Sequence, residues 1–131
     1  MFDKKGILIV RDDLCKVVDF AQKSIEAGVD EAKVFATIEP CDIIRFLNTK
    51  SIAAVIIDSE MYNLNTASIL KNYSQVQELQ ILLLTDSKSK RTIRMMMDKN
   101  LKYVNSNISS RDLNSIFLSL YAPSLKKVAH F

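Results

Sequence analysis

The amino-acid sequence predicts an α/β protein on a doubly wound, five-stranded parallel sheet. Three observations carry this expectation. First, Gly6 to Val10, Ile52 to Ile57 and Leu79 to Leu84 are short apolar runs, the last broken only by Gln80, and each stops abruptly at a polar residue: Arg11, Asp58 and Thr85. Runs of this kind read as strands buried on both faces of a parallel sheet. Second, segments with helical apolar spacing separate the runs, and strand–helix alternation repeated five times gives a parallel sheet with helices on both faces. Third, 131 residues suit one domain around one core.

The elements follow in order. Strand 1 spans about Gly6 to Arg11. Helix 1 spans about Leu14 to Ala27, with Asp12 or Asp13 as N-cap and Gly28 just past its end. Strand 2 is about Lys33 to Ile38, rich in β-branched and aromatic residues. Helix 2 follows Glu39-Pro40, where proline suits a first turn, and places Ile43, Ile44 and Leu47 on one face. Strand 3 is Ile52 to Asp58, helix 3 about Thr66 to Tyr73, strand 4 Gln80 to Thr85, helix 4 about Lys88 to Asn100 and strand 5 Leu101 to Val104. Helix 5 starts after the capping segment Ser109-Ser110 and buries Leu113, Ile116, Phe117 and Leu120. Residues 1–122 form the domain, and 123–131 read as a short basic tail or the start of a linker.

Composition narrows the function. With only Gly6 and Gly28, the chain lacks the glycines that a P-loop or a dinucleotide fingerprint needs to approach phosphate closely. Its formal net charge of +3 is too small to argue nucleic-acid binding. No apolar run approaches the ~20 residues of a membrane span, and no signal peptide is visible, so a cytoplasmic protein is expected. Cys15 and Cys41 are then free thiols, read as small core residues rather than reactive groups. The single histidine, His130, leaves little for nucleophilic or His-based metal chemistry, and an enzyme is not expected.

In an open α/β sheet, ligands bind at the carboxyl ends of the strands. Asp12, Asp13, Asp58 and Thr85 all fall there, which gathers three carboxylates and a hydroxyl on one edge. Carboxylates that close repel one another, and a hard divalent ion such as Mg²⁺ relieves the repulsion.

This order of elements, with acids after strands 1 and 3 and Thr85 after strand 4, resembles the receiver domain of bacterial response regulators. The resemblance covers about Lys5 to Tyr121 and implies a flavodoxin-like (βα)5 fold with strand order 2-1-3-4-5. Asp12-Asp13 matches the family's acidic pair. A register starting at Arg11 is disfavoured: positions four, seven and eight beyond Asp13 are Val17, Phe20 and Ala21, an apolar face, whereas those beyond Asp12 are Lys16, Asp19 and Phe20. Arg11 then stands where receivers usually carry an aliphatic residue; one reading has it supply the positive charge of the missing lysine, but it is expected instead to snorkel past the strand end to solvent. Asp58-Ser59-Glu60-Met61 matches the family's Asp-x-x-Met, Thr85 its switch hydroxyl and Tyr103 its aromatic switch. The departures are Tyr62 for proline, Thr66 for glycine, Asp86 for a small residue, Ser106 for the switch lysine, Asn107 for proline and Ile108 for phenylalanine. Lys102 is a poor substitute for the lysine because it lies inside the strand.

By resemblance, Mg²⁺ would be held by Asp13 and Asp58 directly, by Asp12 through water and by the backbone carbonyl of Glu60. Asp58 would take a phosphoryl group from a histidine kinase or phosphotransfer protein as a carboxylate nucleophile. Ser106 replaces a cation with a neutral donor and Asp86 adds an anion, each effect on the order of 1–3 kcal/mol. The expectation is an atypical receiver, or pseudo-receiver, in two-component signal transduction. Its Asp58 is phosphorylated weakly or not at all, and it regulates a partner by protein–protein interaction. The alternative is a working Mg²⁺-dependent phosphoacceptor. The partner would dock on the helix 4–strand 5–helix 5 face, where Lys88, Lys90, Arg91, Arg94 and Met95-Met96-Met97 lie, and the chain would be a monomer or a homodimer.

Overall fold

The computed structural model describes residues 5–77, 79–85 and 101–121. Five parallel strands are ordered β2-β1-β3-β4-β5: β1 Gly6–Val10, β2 Val34–Thr37, β3 Ile52–Asp58, β4 Gln80–Thr85 and β5 Leu101–Asn105. Helices α1 Leu14–Glu26, α2 Ile43–Thr49, α3 Leu64–Gln77 and α4 Ser110–Tyr121 flank the sheet. This is the doubly wound order expected from the sequence. The expected fourth helix and the tail lie outside the described residues, so the fifth expected helix is α4 here.

The sheet is buried on both sides because its central strands carry apolar residues at every position. Leu8, Val10, Val55, Ile57, Ile81 and Leu83 form one core with Ile43, Leu47 and Leu70 of α2 and α3. Ile7, Ile9, Ala54, Ile56, Leu82, Leu84 and Val104 form the other with Phe20 of α1 and Leu113 and Phe117 of α4. Strict alternation along each strand therefore gives every rim residue a defined face.

Local chemistry sets the ends. Asp13 is the N-cap of α1, its Oδ1 accepting from Cys15 N at 2.7 Å. The helix stops at Gly28, whose φ of 111° suits glycine. Gly6 is required by close approach, since a Cβ there would lie 2.3 Å from the Lys33 carbonyl oxygen. Asn63 Oδ1 accepts from Thr66 N at 2.9 Å, so α3 begins two residues earlier than expected. Pro40 opens a 3-10 turn, Pro40–Asp42, ahead of α2. Asn114 Nδ2 donates to the Ala27 carbonyl at 2.7 Å and ties α4 to the end of α1.

Three sequence expectations are corrected. Ile44 is 42% exposed; Phe46 packs against the core from α2 instead. Cys15 and Cys41 are both exposed, not small core residues. Arg11 does not reach out to solvent: it is 8% exposed. Among the described residues no helix is long and apolar enough to cross a membrane.

Candidate functional site

Pairing of β1 with β3 in the register Val10↔Ile57 brings the next residues, Arg11 and Asp58, side by side at the carboxyl edge. Alternation puts both on the face of Ile9, Ile56 and Phe20. There the guanidinium clasps the carboxylate. Arg11 Nε lies 3.1 Å from Asp58 Oδ1 and 3.3 Å from Oδ2, and Nη2 lies 3.0 Å from Oδ1. The two side chains are only 10% and 13% exposed. The guanidinium carbon sits 5.9 Å from the centroid of the Phe20 ring. Arg11 N also donates to the Thr37 carbonyl at 3.3 Å, which extends the β1–β2 ladder by one rung. A two-nitrogen contact on one carboxylate, shielded from water, is among the stronger polar interactions a protein makes.

Around this pair is a cleft of about 320 Å³. Asp12, Lys16 and Asp19 line it from the α1 side, Ser59 and Glu60 from the turn after β3, Leu84 from β4, and Ser106 and Asn107 from the turn after β5. That last turn is set by Asn105, whose Oδ1 accepts from Asn107 N at 2.8 Å and whose carbonyl accepts from Ile108 N at 3.0 Å. Lys16 Nζ lies 3.1 Å from Asp12 Oδ1 across one helical turn. Its hydrogen bond holds the Asp12 carboxyl below its ordinary range, and Asp12 in turn raises the Lys16 ammonium.

The expected site residues separate into two groups. Asp12, Asp58, Glu60 and Ser106 come together at the cleft. Asp13 turns its carboxylate onto the α1 backbone instead. Thr85 ends β4 opposite Asn105, and its carbonyl accepts from Ser106 N at 3.1 Å. Alternation gives Thr85 and Tyr103 the sheet face of Leu83 and Leu101, opposite to Asp58. Tyr103 is 36% exposed. Two family departures have packing roles: Tyr62 is buried in the core and Thr66 is buried at the start of α3.

Of the expected metal set, Asp12, Asp58 and Glu60 line the cleft, whereas the Asp13 carboxylate accepts from the helix backbone. Among the described residues no three His, Cys, Asp or Glu side chains are placed to hold an ion. Asp58 faces a guanidinium, Asp12 an ammonium and Asp13 a helix N-terminus. Sequence reasoning raised Arg11 as a source of positive charge for the site but favoured a side chain extended to solvent. The signal was available, since Ile7, Ile9 and Arg11 alternate onto the face that Phe20 covers.

The architecture matches known structures closely. A response regulator receiver domain protein from Clostridium thermocellum superposes with a TM-score of 0.73 at 19% identity, covering 95% of this chain and 98% of that one. The receiver domain of a signal transduction histidine kinase from Syntrophus aciditrophicus gives 0.69 at 20% identity, covering 90% of each. A protein described as pilus assembly-related from Burkholderia pseudomallei gives 0.74 at 17%, covering 93% and 92%. The fold is that of a receiver domain. No family model and no curated protein matches the sequence. The receiver fold of this chain thus carries an arginine on the side chain at the position expected for the phosphoacceptor.

Proposed function

We propose that the chain is a signalling module on the receiver fold that regulates a protein partner by binding, with weak or no phosphorylation of Asp58. The observation that carries this reading is the Arg11 clasp on both Asp58 oxygens. A carboxylate attacks phosphorus through a free oxygen lone pair, and a hydrogen-bonded, charge-paired oxygen is a weaker nucleophile. Ser106, at the position of the family's lysine, offers a transferred phosphoryl group a neutral hydrogen bond in place of a cation. The solved receivers of similar fold support a signalling role; in this reading the module works in the cytoplasm and has no reaction of its own. Exposed Tyr103 on β5 and Leu118 on α4 support docking of the partner on that side of the molecule.

Beryllofluoride with millimolar Mg²⁺, followed by amide chemical shifts, tests this. The expected result is no shift at Asp58 or Thr85 in the wild type. Shifts that vanish in Asp58→Asn would overturn it in favour of a Mg²⁺-dependent phosphoacceptor served by a histidine kinase. Ser106→Lys is expected to increase the response to the mimic. An unchanged response would remove the lost lysine from the explanation.

A further inference from the structure

We propose that Arg11 is a tethered stand-in for a divalent cation, the one side chain that makes the cleft metal-free. This deepens the functional reading above and rests on the same ion pair. A hard cation bound at Asp58 needs oxygen lone pairs at about 2.1 Å and several further oxygen ligands. Those lone pairs already accept from Nε and Nη2 of Arg11, and a positive charge already stands 3.0 Å away. The guanidinium is also fixed in place. It is 8% exposed, lies against the Phe20 ring and is anchored by its own backbone N–H to Thr37. Unlike a diffusible ion, it is present at every metal concentration.

Two neighbouring acids are engaged as well. Asp12 pairs with Lys16 at 3.1 Å, and Asp13 accepts from Cys15 N at 2.7 Å. Position 11 is the point of control because the β1–β3 register places it directly beside Asp58. Arg11→Asp would remove the cation and set a carboxylate between those of Asp12 and Asp58. Three oxygen-bearing side chains on one rim are the donor type that Mg²⁺ and Mn²⁺ prefer.

Paramagnetic broadening by Mn²⁺ on the ¹⁵N-labelled full chain tests this. In the wild type, amides at positions 11, 12 and 58 keep their intensity into the millimolar range. In Arg11→Asp they broaden at a Mn²⁺ concentration at least about tenfold lower, as expected when ligand charge is added. Wild-type broadening at the variant's concentration overturns the proposal, and so does a folded variant that does not broaden. Arg11→Ser guards against misfolding of the first variant, since it removes the guanidinium without adding an acid. Its thermal midpoint rises with Mg²⁺ while the wild-type midpoint stays fixed; an equal rise in both overturns the proposal. Neither measurement uses a phosphodonor. A wild type that is phosphorylated yet silent to Mn²⁺ overturns only the functional reading.

Discussion

Two ion pairs share one cleft and differ in nearly everything except charge. Arg11 and Asp58 lie 47 positions apart in sequence, at 10% and 13% exposure, with two nitrogens on one carboxylate. Lys16 and Asp12 lie one helical turn apart, each 49% exposed, with a single contact. The first joins two strands in a partly dry setting, where an unpaired partner would be costly. The second decorates a helix and is open to water and salt. Burial, rather than the number of opposite charges, therefore decides which pair shapes the site.

The largest effect that would sharpen this contrast comes from breaking the buried pair. Arg11→Ala leaves the Asp58 carboxylate desolvated and unpaired and is expected to cost about 3–5 kcal/mol in urea unfolding. A cost under 1 kcal/mol would break the contrast, because the pair would then behave like a surface contact. Next is the helix start. Asp13→Ala removes the acceptor for Cys15 N and should cost about 1 kcal/mol, the usual worth of an N-cap. Removing both buried partners at once, as Arg11→Met with Asp58→Leu, should bring stability back to within about 1 kcal/mol of the wild type. That recovery separates the cost of a stranded charge from the net worth of the pair.

The smallest effect belongs to the exposed pair and is best read by titration. The hydrogen bond from Lys16 lowers the Asp12 carboxyl below its ordinary value of 3.8. A depressed carboxyl stabilises the fold above its unfolded value, and that contribution disappears as pH falls through the folded value. Asp12 raises Lys16 above 10.5, so the lysine's share is present below that pH and lost as pH rises past it. Lys16→Met is expected to return the Asp12 carboxyl upward toward its ordinary range, seen in the carboxyl ¹³C shift. It should leave the amide spectrum around Asp58 unchanged.

The contrast also separates what is legible in the sequence from what is not. Strands Ile52–Asp58 and Gln80–Thr85 end where the apolar runs end, because a strand buried on both faces leaves no ambiguity at its polar stop. Helix α3 extends beyond the expected Thr66 to Tyr73 because its start depends on Asn63, a cap with a mixed, weakly patterned segment behind it. The strand ends alone put Asp58 and Asp12 at the rim, whereas Ser106 comes from the resemblance to receivers, at the position of the family's lysine. The fate of Arg11 depended on two further quantities: the strand register, which a sequence does not print, and the aromatic lid from Phe20. The sequence leaves Asp12 and Asp13 both open as N-cap of α1; the structure uses Asp13, and the capping role draws its carboxylate toward the helix backbone.

The span between Arg11 and Asp58 also has a kinetic side. A contact that closes so long a loop cannot assist chain collapse before β1 and β3 lie together. Its contribution belongs to the late side of the folding barrier, so weakening it should accelerate escape from the native state and leave refolding nearly untouched. In stopped-flow chevrons, Arg11→Ala is expected to lift the unfolding arm alone. The clasp would then act as a brake on leaving the native basin, and the protein's lifetime in that basin would depend on one guanidinium.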